Sequence, residues 1–267
     1  MRIGHHAFMR RAIGSLVPVM LALFCCARAL AAPAIDYARE ERWAQEVVPS
    51  LVIGDAVYLR TPARARVLAL LTEPSGPSKG GVVIVHGLGV HPDFGLIGGL
   101  RSRLADAGYT TLSVQMPVLP ADARRDDYRV ALPEAGARLH AAIDYLRAKG
   151  IHRIAIVSHS LGATMADAYL KRPDAARIDA WIAVGMLIPF GAAPREAVLD
   201  VAAEHDFPQV IKAAPARRKR LPADGCSRQI TIPATDHYFE RAQPELGVAV
   251  AAFLDRALAG RCQSSRK

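Results

Sequence analysis

The chain has 267 residues, of which 51% are hydrophobic and 22% are charged. This length fits one or two globular domains, and the composition is too apolar for a disordered chain and too mixed for a protein that crosses a membrane many times. The formal charge of +9 and the pI near 9.7 raise the question of an anionic partner, and the answer depends on where the charge lies.

The N-terminal residues 1–31 have the pattern of a secretory signal peptide. Arg10 and Arg11 precede an apolar run at residues 12–27, and small residues around Ala31 follow it. We predict cleavage near Ala31 and export to the periplasm or the outside of the cell. An uncleaved anchor is the alternative, although the run is shorter than the roughly 20 residues that a spanning helix needs. Cleavage would remove four arginines and no acidic residue, which lowers the charge from +9 to about +5.

The cysteines divide between the predicted signal peptide and the mature chain. Cys25 and Cys26 lie in the signal peptide, so Cys226 and Cys262 remain. In an oxidising compartment these two thiols could form one disulfide near the C-terminus. Two unpaired, buried thiols are the alternative, because a sequence does not report whether two Cα atoms come within bonding distance.

Short segments rich in Val, Ile and Ala recur along the mature chain. Residues 32–50 are polar and helix-prone, and we interpret them as an adaptor before a main domain at residues 51–260 and a tail at residues 261–267. Most of the apolar segments are continuous, as strands are when both faces of a parallel sheet are buried. The predicted strands are residues 52–59, 66–71, 81–85, 110–114, 154–157, 180–185, 198–202 and 229–232.

Helical patterns lie between these predicted strands. Pro133 suits a helix start, and Gly108 and Gly150 stand just past helix ends. Strands that alternate with helices predict an α/β fold with a doubly wound, mostly parallel, eight-stranded sheet. The short connection at residues 60–65 predicts that the first two strands form an antiparallel hairpin at one edge. The predicted helices are residues 96–107, 133–149, 160–171 and 246–259.

A candidate nucleophile stands where a predicted strand meets a predicted helix. Residues 158–162 read SHSLG, with Ser160 at the centre. A serine flanked by small residues at such a junction can sit on a tight turn with its hydroxyl above the sheet. Gly162 meets the need for a small residue, whereas Ser158 stands where the motif usually has glycine. We expect Ser158 to fit with little strain.

A second motif, HGLG at residues 86–89, ends the predicted strand at residues 81–85. Glycines there let the backbone turn closely enough to aim an N–H at a developing negative charge. We predict that the backbone amides of Leu88 and Leu161 form an oxyanion hole. We interpret His86 as a structural residue that holds this loop. A zinc site built from His86, His91 and Asp93 lacks a convincing ligand spacing.

The candidate acid and base follow later strands. Asp206 ends an acidic turn after the predicted strand at residues 198–202, where a carboxylate could orient a histidine, and Glu204 is the fallback. His237 follows the last predicted strand, and Asp236 beside it is interpreted as a loop or helix-capping residue. The chain order is therefore nucleophile, acid and base.

These motifs together resemble those of the α/β-hydrolase superfamily over nearly all of the mature chain. The resemblance implies a serine hydrolase in which Ser160 is the nucleophile, Asp206 the acid and His237 the base, with a small-molecule acyl substrate and no metal or organic cofactor. More narrowly, residues 86–93 (HGLGVHPD) and 112–117 (LSVQMP) resemble an exported bacterial branch of the superfamily whose activity is not settled.

The interval at residues 187–197 is short for a parallel crossover, so its helix must be short or absent. Many α/β-hydrolases insert a cap here, and we therefore predict a single domain without a full cap. A compact, uncapped site would favour short acyl chains. The candidate walls of the site are Leu88, Val90, Phe94, Met116, Leu187 and Pro189.

The basic charge concentrates at residues 216–220 (ARRKR), which we interpret as a solvated helix end or loop. No zinc finger or aromatic array accompanies it, so we predict no nucleic-acid partner. The sequence thus favours a secreted or periplasmic carboxylesterase-type serine hydrolase. An acyltransferase or peptidase with the same triad and a non-catalytic cell-envelope binding protein are the alternatives. The oligomeric state stays open.

Overall fold

A computed structural model of the chain describes Met1 and residues 34–262. Apart from Met1, the predicted signal peptide lies outside the described residues, as do residues 263–267 of the predicted tail. The strands are β1 (Asp55–Leu59), β2 (Val67–Thr72), β3 (Gly81–Val85), β4 (Thr110–Val114), β5 (Ile154–His159), β6 (Ala180–Val184), β7 (Ala197–His205) and β8 (Arg228–Asp236). The helices are α1 (Tyr37–Ser50), α2 (Leu96–Asp106), α3 (Leu132–Ala148), α4 (Leu161–Leu170), α5 (Pro208–Arg218) and α6 (Gln243–Ala257), with a 3-10 helix at Arg125–Ala131.

The strands form one sheet in the order β1-β2-β4-β3-β5-β6-β7-β8. β1 pairs antiparallel with β2, and β2 pairs antiparallel with β4. From β4 to β8 every pairing is parallel. The predicted sheet, with its antiparallel hairpin at one edge, is confirmed.

Helices cover both faces of the sheet, which is why the central strands are apolar throughout. Val83 and Val85 of β3 pack in a core cluster with α3 and α4. The alternate residues Val82 and Ile84 pack in a second cluster with α2 and α6. β3 and β5 therefore lie at the centre, and their carboxyl ends carry the HGLG and SHSLG motifs.

Helix α1, in the segment interpreted as an adaptor, packs on the antiparallel edge of the sheet. Its Ala44 and Val47 form a third apolar cluster with Leu68 and Leu70 of β2. The segment is therefore in close contact with the main domain. Among the described residues, no helix is both long and apolar enough to cross a membrane.

Helix α5 was not predicted, and it changes the interpretation of the basic run. Arg217 lies in its last turn and is fully buried, with its Nε 2.9 Å from a carboxylate oxygen of Asp200, which is also fully buried. The interpretation of residues 216–220 as a solvated segment is thus wrong for Arg217. It holds for Arg218, Lys219 and Arg220, which are exposed.

The connection between β6 and β7 and the pairing of the two cysteines both answer questions that the sequence raised. Residues 185–196 connect β6 to β7 without a helix, so the predicted lack of a crossover helix is confirmed. Cys226 and Cys262 form a disulfide with their Cα atoms 5.1 Å apart, which decides between the two alternatives left by the sequence.

Candidate active site

Ser160 stands between β5 and α4 in a backbone conformation that few residues adopt, with φ 56° and ψ −119°. A non-glycine residue with positive φ is strained and occurs mainly where the surrounding structure enforces it. Gly162 is one such constraint, because a Cβ at that position would clash with the carbonyl oxygens of Val85 and His86. The tight turn that places the hydroxyl above the sheet is therefore present.

Ser158 fills the position where the motif usually has glycine, and it is fully buried. Its Oγ accepts a hydrogen bond from Nε1 of Trp181 at 2.8 Å and donates to the carbonyl oxygen of Ile182 at 3.2 Å. The extra hydroxyl thus satisfies the indole N–H of a buried tryptophan on β6.

Ser160, His237 and Asp206 form a continuous chain of hydrogen bonds. The Oγ of Ser160 lies 2.8 Å from Nε2 of His237, and Nδ1 of His237 lies 2.6 Å from Oδ1 of Asp206. If Nδ1 carries the proton and donates it to Asp206, Nε2 is free to accept the serine O–H. The structure therefore brings together the three residues that the sequence predicted as nucleophile, base and acid.

The carboxylate of Asp206 is buried, yet it is held in its ionised form. Burial opposes ionisation, but the hydrogen bond from His237 and those from the backbone N–H groups of Ala203 and Phe207, at 3.0 and 2.8 Å, outweigh it and lower the pKa of Asp206. A charged acceptor can hold the imidazole in one tautomer and stabilise its protonated form.

Three residues that sequence reasoning missed enclose the imidazole of His237. The ring of Phe207 stacks on the imidazole with the two centroids 4.1 Å apart. The ring of His159 contacts it at a tilt, with centroids 4.8 Å apart. Gly185 has φ +60°, and a Cβ there would come within 2.9 Å of Cε1 of His237. Phe207 follows Asp206 in the sequence, and His159 precedes Ser160. Nothing in the sequence showed that either ring contacts His237.

His159 contributes a backbone tether as well as a ring contact. Its Nε2 lies 2.9 Å from the carbonyl oxygen of His237, to which it can donate a hydrogen bond. Burial, together with the nearby His237, lowers the pKa of His159 to about 4. The ring is therefore neutral near pH 7 and places no second positive charge beside the base.

The loop after β3 carries the second predicted amide donor. Among the described residues, the N–H of Leu88 and that of Leu161 donate no hydrogen bond, and both residues line the cavity above Ser160. Two donors of this kind are what an oxyanion hole needs.

His86 holds the start of this loop through both ring nitrogens. Its Nε2 accepts from the backbone N–H of Met116 at 2.8 Å, and its Nδ1 lies 2.9 Å from the carbonyl oxygen of Gly87. Burial lowers the pKa of His86 to about 3, so the ring stays neutral. Because both nitrogens are engaged and Asp93 is paired with Arg101 at 2.7 Å, these residues are not arranged as zinc ligands.

Glu204 and Asp236 lie outside the hydrogen-bonded chain. Glu204 accepts from the backbone N–H of Ala234 at 2.7 Å and is exposed. Asp236 accepts from the backbone N–H of Tyr238 at 3.0 Å, as a loop residue does. Within residues 34–262, no cluster of three or more His, Cys, Asp or Glu side chains is arranged to hold a metal ion.

No protein-family model and no curated protein matches this sequence. Solved structures do match it: dienelactone hydrolase from Anabaena variabilis has a TM-score of 0.63 and 20% identity, over 76% of this chain and 96% of that chain. The chain has the α/β-hydrolase fold. A serine hydrolase without a lid from Xanthomonas campestris matches with a TM-score of 0.59 and 16% identity, over 77% of this chain and 95% of that chain. Proline iminopeptidase from Mycobacterium smegmatis matches with a TM-score of 0.59 and 12% identity, over 78% of this chain and 100% of that chain.

Ser160 lies at a cavity of about 720 Å³, and within residues 34–262 no helix is inserted between β6 and β7 to cover it. Ligand sites commonly have 300 to 1,000 Å³, so this one can hold a sizeable small molecule. Of the predicted walls, Met116 is fully buried in the core and Pro189 is exposed elsewhere, and neither lines the cavity. Its apolar walls include Leu88, Val90, Phe94, Leu187, Phe207 and Tyr238, and charged residues at it include Arg124, Arg125, Asp126 and Glu240.

Proposed function

We propose that this protein is a serine hydrolase that cleaves carboxylic esters, with Ser160 as nucleophile, His237 as base and Asp206 as acid. The observation that carries the proposal is the pair of short hydrogen bonds, 2.8 Å from Ser160 to His237 and 2.6 Å from His237 to Asp206, at the floor of a large cavity. A nucleophile within reach of a base that a third group orients is the arrangement that activates a serine.

The reaction proceeds in two halves. Oγ of Ser160 attacks the ester carbonyl carbon while Nε2 of His237 takes the hydroxyl proton, and the backbone amides of Leu88 and Leu161 stabilise the resulting oxyanion. His237 then gives that proton to the departing alkoxide, which leaves as an alcohol, and the acyl group stays on Ser160. A water molecule then attacks the acyl carbon while Nε2 of His237 takes its proton, and His237 returns this proton to Oγ of Ser160 as the bond between the acyl carbon and Oγ breaks and the acid leaves.

We further propose that the substrate carries an apolar acyl group larger than acetyl. The cavity is wider than the compact site from which the sequence favoured short chains, and the exposed fractions of Phe94 and Tyr238, 52% and 55%, leave apolar surface available at its walls. Burying apolar substrate surface there contributes roughly 25 cal/mol per Å².

A panel of 4-nitrophenyl esters from acetate to laurate tests this substrate class. The cavity predicts a kcat/KM that rises from acetate to hexanoate or octanoate. A maximum at acetate would contradict the apolar substrate, and activity with no member of the panel beyond that of Ser160→Ala would contradict the esterase itself.

One observation favours an amide, rather than an ester, as the bond that is cleaved. A matching fold is that of a proline iminopeptidase, and a serine acyl-enzyme can form from an amide or pass its acyl group to an acceptor other than water. Aminoacyl 4-nitroanilides and reactions with added methanol distinguish these chemistries. Ester hydrolysis predicts the free acid as the main product and no nitroaniline release.

We also propose export, which rests on the predicted signal peptide and gains support from the Cys226–Cys262 disulfide, since such bonds persist in oxidising compartments. Expression of the full chain in a Gram-negative host, followed by intact-mass analysis of the periplasmic and cytoplasmic fractions, tests this. Export predicts a species that begins near Ala32, and a full-length species confined to the cytoplasm would contradict it.

A further inference from the structure

Helix α1 reaches across the sheet edge to the loop that carries the Leu88 amide. The guanidinium of Arg39 donates from Nη2 to the carbonyl oxygen of Gly89 at 3.1 Å and from Nη1 to the carbonyl oxygen of Leu119 at 3.0 Å. Gly89 has φ +65°, a left-handed conformation that favours glycine. One side chain thus bridges the loop after β3 and the segment after β4.

A series of aromatic contacts extends from Arg39 along the same loop. The guanidinium lies over the ring of Trp43, 4.6 Å from its centroid, and Trp43 lies 5.8 Å from the ring of His91. His91 in turn meets Phe94, a wall of the cavity, edge-on at 5.6 Å. Helix α1 therefore contacts the loop at Gly89 and at His91.

The second anchor of Arg39 is itself held firmly. Within residues 115–119, Val118 exchanges hydrogen bonds with α1 and its N-cap residue: its carbonyl oxygen accepts from the N–H of Asp36 at 2.7 Å, and its N–H donates to Oε1 of Glu40 at 3.3 Å. Glu40 is buried against Arg138 at 3.0 Å, and Arg138 donates to the carbonyl oxygen of Gln115 at 2.9 Å. Residues 115–119 are therefore a fixed support to which Arg39 ties the carbonyl oxygen of Gly89.

We propose that Arg39 is a positioning residue for the oxyanion hole: its two hydrogen bonds hold the Gly89 backbone so that the preceding Leu88 amide stays aimed at the site above Ser160. The inference rests on the proposed hydrolase activity. Without Arg39 the Gly89 carbonyl loses its partner and the loop can turn. A displacement of about 1 Å at a catalytic donor can cost on the order of a hundredfold in rate.

The test compares Arg39→Ala with Arg42→Ala, an exposed arginine on the same helix. We expect Arg39→Ala to lower kcat about ten- to a hundredfold with KM changed less than about threefold, because an oxyanion donor acts mainly in the transition state. Arg42→Ala should match the wild type, and Arg39→Lys, which can reach one carbonyl at a time, should lie between. Added guanidinium chloride at low millimolar concentration should partly restore Arg39→Ala and leave Arg42→Ala unchanged.

Fluorophosphonate labelling separates positioning from folding. The Arg39→Ala protein should reach the same final extent of labelling as the wild type, at a lower rate. Unchanged kcat and labelling rate in Arg39→Ala would overturn the inference. A fall in kcat no larger than the fall in the fraction of protein that labels would also overturn it, because misfolded protein would then account for the whole loss. Wild-type protein that does not label at all would instead contradict the hydrolase, which keeps the two failures distinct.

Discussion

The ring of Phe207 lies parallel to the imidazole of His237, with centroids 4.1 Å apart and planes inclined by 21°. The same residue donates its backbone N–H to Asp206 at 2.8 Å, so one residue supports both the base and the acid. An aromatic face attracts a cation, and the imidazole is a cation while it holds the serine proton. The stack can therefore stabilise the transition state more than the resting site.

Replacing Phe207 should slow the reaction without unfolding the protein. For Phe207→Ala we expect kcat to fall roughly three- to thirtyfold, corresponding to about 0.7 to 2 kcal/mol of lost ring contact. Steady-state kinetics on a 4-nitrophenyl ester measure it. Ile211→Ala, an exposed apolar residue on α5, is the matched control and should keep its kcat. Equal kcat values for Phe207→Ala and wild type would show that the stack contributes nothing.

Asp206, rather than Glu204, should act as the acid. Asp206→Asn keeps the shape of the side chain but favours the wrong imidazole tautomer, and the equivalent change in a serine protease triad lowers kcat about 10⁴-fold. We expect a fall of about 10³- to 10⁴-fold in kcat here, against less than about twofold for Glu204→Gln. A large loss in Glu204→Gln with a small one in Asp206→Asn would reverse the assignment.

The depressed pKa of Asp206 also predicts how stability depends on pH. In the unfolded chain an aspartate titrates near 3.9, above its value in the folded protein, so the carboxylate contributes stability that is present above that pH and lost as pH falls through the folded pKa. The Tm difference between wild type and Asp206→Asn should be constant from about pH 5 to 7 and shrink below about pH 4. A difference that grows on acidification would contradict the ionised carboxylate.

The sheet and the three residues at its edge were predictable because each has a local signal. Continuous apolar runs mark strands buried on both faces, and the small residues around Ser160 mark a tight turn. Ser160, Asp206 and His237 each follow a predicted strand, and carboxyl ends of parallel strands meet at one edge. Their chain order also matched that of the α/β-hydrolases.

The supports of the site left no such signal. Helix α5 contains Pro208 and Pro215 and has little apolar periodicity, so no pattern marked it. The contacts of Phe207 and His159 with His237, and those of Arg39 with Gly89, join residues far apart in the chain, and their pairing depends on the assembled fold.

The burial of Arg217 leads to a stability prediction. Its Nε bonds Asp200 at 2.9 Å, and its Nη1 bonds the carbonyl oxygen of Met186. Arg217→Met leaves a buried carboxylate without its charge partner, which costs about 3 to 5 kcal/mol. Urea unfolding should show this loss, while the exposed Arg218→Met should stay within about 0.5 kcal/mol of wild type. Equal stabilities for the two variants would refute a buried ion pair.

Covalent labelling of the purified mature protein with a fluorophosphonate, followed by peptide mass analysis, is the decisive measurement for Ser160. We predict one adduct per chain, located on Ser160, with no adduct in Ser160→Ala and much slower labelling in a His237→Ala variant. Wild-type protein that stays unlabelled while a control esterase reacts, or equal labelling in Ser160→Ala, would contradict the assignment of Ser160 as an activated nucleophile.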